Sequence, residues 1–503
     1  MAEFTRQRFS EILQACHDII RNNDKLSPEA SFDEISKILF VKILKERTSR
    51  QIYSKDSYLQ EQEDYEHSHS KRKYFQILFE QVKNEYKAEN VFNDYETIRV
   101  RETSFIQIIE KLETYNLSEI SDDLKGIAFE QFLGKTFRGE LGQFFTPRNI
   151  VDFMVSCIDP KEGELICDPC CGSGGFLIKS FEYIKEKIVT DENFGKEDIQ
   201  NRLRNLAQNC IFGTDANPRM ARTSKMNMIM HGDGHSGIHL HDGLLNVNGI
   251  FENRFDVVLT NPPFGAKVSK NMLVTNDDRF TDEEQIEKYI NQYGDQYKDA
   301  LRQVNDHIGK PILELFSTGR YSGGGLTEAL FVERSLNLLK PGGRLGIVLP
   351  EGILSNNILS EFRNIIEGMA RIVAIVSLPK DTFTKSGASV KTSIVFMKKF
   401  SLEDKCKYDN CVNFAEQECL KHFVELPQET LDSKLKGNYL QTLSRQQKDQ
   451  YKMEVKAKIK QMFNYPILIS SIDVVCESAR EAEVKELQDY FVNFIGEHQI
   501  WEL

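Results

Sequence analysis

Seven short β-rich runs punctuate residues 160 to 400, with helical stretches between most of them. They are ELIC (164–167), CIFGT (210–214), GIHL (237–240), DVVLT (256–260), RLGIVLP (344–350), IVAIVSL (372–378) and TSIVFM (392–397). Strands that alternate with helices predict an α/β fold with a doubly wound, mostly parallel, seven-stranded sheet. PGGR at 341–344 reads as a turn feeding a strand, after the amphipathic run LTEALFVERSLNLLK. Residues 266–324 form one long polar insertion that includes SGGG at 322–325. A segment of that length is more often functional than a mere connector.

Open α/β sheets bind ligands at the carboxyl ends of their strands, so the chemistry is sought there. The first strand runs into DPCCGSGGF: Asp168, Pro169, Cys170, Cys171, Gly172, Ser173, Gly174, Gly175 and Phe176. Its glycines let backbone approach a ligand at a strand–helix turn. The turn is not G-x-G-x-x-G and lacks the lysine of a phosphate-binding loop. Alone, it reads equally as a tight turn. Cys167 and Cys170 form a C-x-x-C that could be a redox pair, and Pro169-Cys170 could hold a nucleophilic thiol. Asp215 in GTDANP ends the second strand, where an acid commonly accepts both ribose hydroxyls; the bland reading is a helix cap. Asp242 in HDG follows the third strand. It could accept from the exocyclic amine of an adenine, or be an ordinary turn residue.

TNPPFG follows the fourth strand. Two prolines end that strand at once, because proline cannot donate to a sheet ladder. Asn261 offers a side-chain oxygen, and Pro262 a carbonyl held in direction by Pro263. Two such acceptors can draw the hydrogens of an aromatic amine and free its delocalised lone pair. Phe264 is expected to give a stacking surface, worth roughly 1–3 kcal/mol per base.

A glycine turn, a ribose acid, an amine acceptor and NPPF, in order on successive strands, resemble the S-adenosylmethionine-dependent methyltransferases of DNA adenine N6. The segment GELGQFFTPRNIVDFMV (139–155) also resembles the stretch that precedes the glycine turn in that family. The resemblance implies a Rossmann-like methyltransferase fold in the gamma motif order. It places Gln143, Phe145, Thr146 and Pro147 over the methionine end of the cofactor, and requires no metal. The chain looks like the methylation subunit of a type I restriction–modification system. It departs from the family pattern at Cys170, where alanine is usual, and at Asp215, where glutamate is frequent. Only about 100 mostly polar residues follow the last strand. The short tail argues for a separate specificity subunit that reads bases; the resemblance implies double-stranded DNA and a second methylation subunit as further partners and leaves open whether a restriction subunit joins.

Three regions are expected: a helical domain over 1–135, the methyltransferase domain over 136–400, and a polar, largely helical tail over 401–503. Phe9, Ile12, Leu13, Cys16, Ile19 and Ile20 recur at helical spacing. Ser31 with Glu34 fits a capping box. SKDSYLQEQEDYEHSHSKRK reads as a loop, with His67 and His69 in solvent. Cys406, Cys411, Cys419 and His422 lack the close cysteine pairing of structural zinc sites. Val484, Leu487, Phe491 and Phe494 form a helical stripe for the protein's own core or a partner helix, and the partner contact is the favoured assignment.

The chain is 40% hydrophobic and 28% charged, with ten scattered cysteines, an acidic first segment and no apolar run of spanning length. A globular cytoplasmic protein with free thiols is expected. The net charge of −12 argues against an unaided grip on DNA. Competing readings are amine or amide methylation of RNA or protein glutamine, and a non-catalytic nucleotide-binding scaffold. N4-cytosine methylation usually has serine in place of the asparagine.

Overall fold

The computed structural model describes residues 5–68, 72–87, 91–120, 146–231, 237–247, 249–383, 390–424, 439–472 and 477–502. Gln143, Phe145 and His69 lie outside the described residues, as do the side chains of His67 and of residues 477–481.

All seven expected strands form: β1 Ile166–Asp168, β2 Ile211–Asp215, β3 Gly237–Leu240, β4 Phe255–Thr260, β5 Leu339–Pro350, β6 Ala370–Ser377 and β7 Thr392–Lys399. An eighth, β8 Leu468–Ser471, corrects the expected count. The order is β3-β2-β1-β4-β5-β7-β6-β8. Only β7 runs against its neighbours. β8 lies parallel to β6 and comes from the tail expected to be largely helical. Its four residues, LISS, are too short a run to announce a strand; the exposed edge of β6 supplies the ladder that makes them one. PGG is a correction too: it lies inside β5 as an irregularity opposite Phe255 and Val257, with Gly342 at φ 83°.

Helices cover both faces of the sheet. Arg148–Ile158, Gly175–Val189 and the tail helix Glu477–Glu497 close one core, and Thr327–Leu338 with Ser360–Glu367 closes the other. Val484, Leu487 and Phe491 are buried in the first of these cores, with Phe494 packed against it. That settles the tail stripe: its apolar face covers this chain's own sheet and is not free for a partner helix.

The amino-terminal helices are Arg6–Asp24, Pro28–Ser49, Lys55–Ser68, Tyr74–Glu85 and Glu102–Leu112. Lys55–Ser68 occupies the stretch expected to be a loop. Its polar sequence hid one apolar anchor, Tyr58, which is fully buried and tilted against Phe105. The second helix is capped by Ser27, with Pro28 preset for its first turn. Ser31 and Glu34 therefore sit inside the helix rather than capping it. The helical core also takes in Met220, Met226 and Met230 from Pro218–Met230, the helix that follows β2. Arg222 of that helix bonds Asp33 and Glu96 across the junction. The amino-terminal core is thus continuous with the elements around Asp215.

Candidate active site

The carboxyl ends of β1 to β4 open on a cavity of about 550 Å³, within the size range of small-molecule sites. Its wall brings together Thr146, Asp168, Pro169, Gly172, Ser173, Gly175, Phe176, Asp215, Asp242, Asn261, Pro262 and Pro263. Gly172 and Gly174 take φ of 53° and 87°. A Cβ on Gly174 would sit 2.5 Å from the Ser224 hydroxyl, whereas one on Gly172 would meet nothing within 4 Å. The first glycine permits packing; the second leaves room beside the turn. Gly174 caps the helix Gly175–Val189 and is not on the cavity wall.

Successive turns are bonded into one edge. Thr260 Oγ1 donates to Asp168 Oδ1 at 2.7 Å, tying the start of TNPPF to the glycine turn. Thr214 Oγ1 donates to the Pro169 carbonyl at 2.8 Å. The Gly172 amide donates to Asp215 Oδ2 at 3.0 Å, and the Asn217 amide donates to Oδ1 at 2.8 Å. The cap of the helix after β2 is Asn217, which leaves Asp215 at the cavity wall. Asp242 Oδ1 accepts the Leu244 amide at 2.9 Å.

Burial pushes the Asp168 carboxyl up to about 7, against the lowering effect of its bonds from Thr260 and the Cys170 amide. Asp215 is raised by burial as well, opposed by its two backbone donors. Burial and the neighbouring acids hold the thiols of Cys167, Cys170 and Cys171 well up in their neutral form. That environment is the opposite of what a nucleophilic or redox thiol needs. The half-buried Cys170 Sγ instead contacts Thr260 Oγ1 at 2.8 Å.

Asn261 Nδ2 donates to Thr146 Oγ1 at 2.9 Å, across 115 residues of sequence. Its Oδ1 is buried and has no hydrogen-bond partner among the described residues. A buried acceptor left open is rare, and here it belongs to a residue on the cavity wall. Pro147 caps the helix Arg148–Ile158, its carbonyl accepting the Ile150 and Val151 amides. Phe264 does not line the cavity. Its ring packs edge-on against Phe383, centroids 6.0 Å apart, on the side facing the sheet core.

The amphipathic run read from the sequence forms the helix Thr327–Leu338, but the role of its charged residues was missed. Three buried charges on it each clamp a different loop of the site. Glu328 accepts the Gly265 amide at 3.3 Å, just beyond NPPF. Glu333 accepts both the amide and the hydroxyl of Ser317 and of Thr318. Arg334 donates to the Gly243 and Leu245 carbonyls and to Asn246 Oδ1, shaping the loop after Asp242. Charges within an apolar run were the available signal, because buried charges need partners. Val268 and Met272 of the insertion also reach the cavity wall. The insertion carries helices Glu283–Tyr293 and Asp295–Asn305 and its own apolar packing. Cys406, Cys411 and Cys419 lie along one helix, Leu402–Leu420, and span about 20 Å at 1.5 Å per residue, too far to share an ion. His422 bonds Glu454 instead.

A doubly wound sheet with a reversed seventh strand, a glycine turn after β1 and NPPF after β4 define the class as Rossmann-like methyltransferases. The chain belongs to the N-6 DNA methylase family, whose sequence profile matches residues 120–295 and 316–494. It is 28% identical over 316 residues to the EcoEI type I restriction enzyme methylase subunit of Escherichia coli, covering 62% of this chain and 54% of that one. It is 23% identical over 399 residues to the EcoKI methylase subunit of Escherichia coli K12, covering 76% and 65%. Among the first curated relatives it matches, the chain spans from under half to about two thirds of their length. A crystal structure of a type I restriction enzyme modification subunit from Vibrio vulnificus superposes with a TM-score of 0.53 at 18% identity, over 85% of this chain and 92% of that one. A chain from a structural study of type I restriction–modification complex assembly gives 0.52 at 18%, over 98% of each. At such identities these two superpositions speak to the fold alone.

Proposed function

We propose that this chain transfers a methyl group from S-adenosylmethionine to N6 of an adenine flipped out of duplex DNA, as the methylation subunit of a type I restriction–modification system. The observation that carries this reading is the Asn261 carboxamide. Its nitrogen is fixed on Thr146, and its oxygen is buried, without a partner among the described residues, on the wall of a cavity that also holds a glycine turn and two acids.

The residues fit the cofactor. Asp215 faces the cavity where ribose hydroxyls would donate, and Asp242 lies on the neighbouring loop for the adenine amine. The open side of Gly172 leaves space for the chain between them. When bound, S-adenosylmethionine supplies a methyl carbon on a sulfonium. The protein's share is positional. Asn261 Oδ1 and the Pro262 carbonyl accept the two amine hydrogens of the extruded base and free its lone pair. Little reorganisation is needed, because Thr146, the two prolines and the Thr260–Asp168 bond hold the edge in place. In-line approach at a fixed distance can remove about 7–11 kcal/mol in the best intramolecular cases. Flipping the base costs a few kcal/mol. A separate specificity subunit reads the sequence, a second methylation subunit completes the assembly, and a restriction subunit joins it for cleavage. No described helix is long and apolar enough to cross a membrane.

Single-molecule sequencing of DNA from cells expressing the chain, with and without its genomic neighbours, tests the reading. N6-methyladenine at a defined motif, lost in Asn261→Ala, is expected. Unmodified DNA in every combination, or methylation that survives the substitution, refutes it. Methylated RNA or a methylated glutamine in protein would favour the other amine and amide readings.

A further inference from the structure

The helix Pro218–Met230 has two faces that meet different parts of the molecule. Met220, Ser224 and Asn227 recur at helical spacing on one face, and Arg222, Met226 and Met230 on the other. The first face meets the glycine turn. Asn227 Nδ2 donates to the Ser173 carbonyl at 3.1 Å, and the Ser224 hydroxyl lies 2.5 Å from where a Cβ on Gly174 would fall. The second face meets the amino-terminal helices, whose core buries Met226 and Met230. Met220 belongs to that same core and also lines the cavity.

The two ends of this helix are held by different forces. Apolar packing holds the end at Met226 and Met230. Charge holds the end beside Asp215. Arg222 Nη1 donates to Asp33 Oδ1 at 2.7 Å and Nη2 to Glu96 Oε1 at 2.6 Å, and Arg219 pairs with Glu29. A cavity of about 230 Å³ lies among Ala30, Asp33, Arg99, Pro218, Arg219 and Arg222, so side chains do not fill the junction there. Asp33 and Glu96 are partly buried, where salt screens an ion pair less than at the surface. Burial raises the Asp33 carboxyl, but Lys37 and Arg222 outweigh it and hold the group below its ordinary value. Asn217 caps the helix with its side chain, and its amide donates to Asp215 Oδ1 at 2.8 Å. Arg222 stands about 7 Å along the axis from that cap, at 1.5 Å per residue. A displacement of this helix end would carry Asp215, Asn217 and Met220 with it, and all three line the cavity.

We propose that Arg222 is a positioning residue for the cofactor: by tying the helix to Asp33 and Glu96 it holds Asp215 and Met220 in place, and so couples the amino-terminal helices to the affinity for S-adenosylmethionine. The inference rests on the reading of Asp215 as acceptor of the ribose hydroxyls. Arg222 is not on the cavity wall and acts only through the helix. Such coupling is reciprocal, so bound cofactor also makes the junction harder to open.

Calorimetry of the full 503-residue chain with S-adenosylmethionine tests the proposal, together with hydrogen exchange of Pro28–Ser49 in its presence and absence. R222Q is expected to raise the Kd about 5–150-fold, and the KM for S-adenosylmethionine with it, at little cost in kcat. R222K keeps the charge but not the two-pronged geometry, and is expected to recover part of the loss. Cofactor should slow exchange around Asp33 in the parent and not in R222Q. An ordinary structural cross-link would lower the unfolding midpoint and leave the Kd of the folded fraction unchanged; that result overturns the proposal. D33N alters no residue of the helix, is expected to raise the Kd as well, and decides the matter if R222Q does not fold. D215A separates this inference from the reading beneath it. An unchanged Kd in D215A removes the ribose acceptor, whereas a loss there with none in R222Q removes only the coupling. If R222Q shifts the Kd as stated but no N6-methyladenine forms in the parent, the coupling stands and the proposed reaction fails.

Discussion

Two buried polar centres, one in the amino-terminal helices and one at the sheet edge, differ in a single respect. Glu46 is fully buried and satisfied: it accepts from Lys42 Nζ, from the Tyr53 amide at 3.0 Å and from the Leu117 amide at 2.7 Å. Lys42 in turn donates to the Tyr53 carbonyl. At the sheet edge, Asn261 is bonded on one side only, and Asp215 faces a cavity. Both centres take polar atoms out of water. Saturating every partner makes a cross-link; leaving a held acceptor open makes a binding site.

The difference can be broken from either side. The largest expected effect is on stability. Glu46→Ala leaves Lys42 buried and unpaired and should cost about 3–5 kcal/mol in denaturant unfolding. Cofactor affinity of the folded fraction should be unchanged. Asn261→Ala should do the converse. Methyl transfer falls about 10²–10³-fold, equivalent to roughly 2.7–4 kcal/mol, while unfolding shifts only by the one neutral bond from Asn261 Nδ2 to Thr146, about 0.5–1.5 kcal/mol. Equal stability losses in the two variants would erase the distinction.

Asp168 gives a smaller effect, seen as a slope. Its folded carboxyl titrates near 7, above the ordinary carboxylate value, so the folded state holds a proton that the unfolded state has lost. The carboxyl's contribution to stability is therefore greatest at low pH and declines as pH rises from about 4 to 7, by at most about 1.4 kcal/mol per unit. Asp168→Asn should remove that decline from unfolding measured across the interval, and a profile unchanged from the parent would show the acid titrating normally. Smallest of all, Thr146→Val removes one neutral hydrogen bond, worth about 0.5–1.5 kcal/mol. We expect a several-fold lower kcat with little change in KM for S-adenosylmethionine, and recovery in Thr146→Ser. A change confined to that KM would instead place the hydroxyl on the cofactor.

Much of this edge was legible beforehand, because its residues are local. Glycines that need positive φ, an acid at a strand end and prolines that stop a strand carry their reason within a few positions. Asp168, Gly172, Asp215, Asp242 and Asn261 are all found at one cavity. What escaped notice depends on distant partners. Nothing in LISS announces a strand until the edge of β6 offers its ladder. Phe264, placed by motif over a base, turns to Phe383 because an apolar neighbour 119 positions away is there to receive it.

Alternation of short apolar runs with amphipathic ones is encoded residue by residue, so the chain by itself determined an α/β sheet and the ends of the strands where chemistry would fall. It could not say which loops those ends would be bonded to. Glu328, Glu333 and Arg334 became clamps, and Thr146 became the holder of Asn261, only when folding brought groups up to 115 residues apart within 3.3 Å of one another. Desolvation acts on neighbours in space, and those neighbours are fixed only once the whole sheet is assembled.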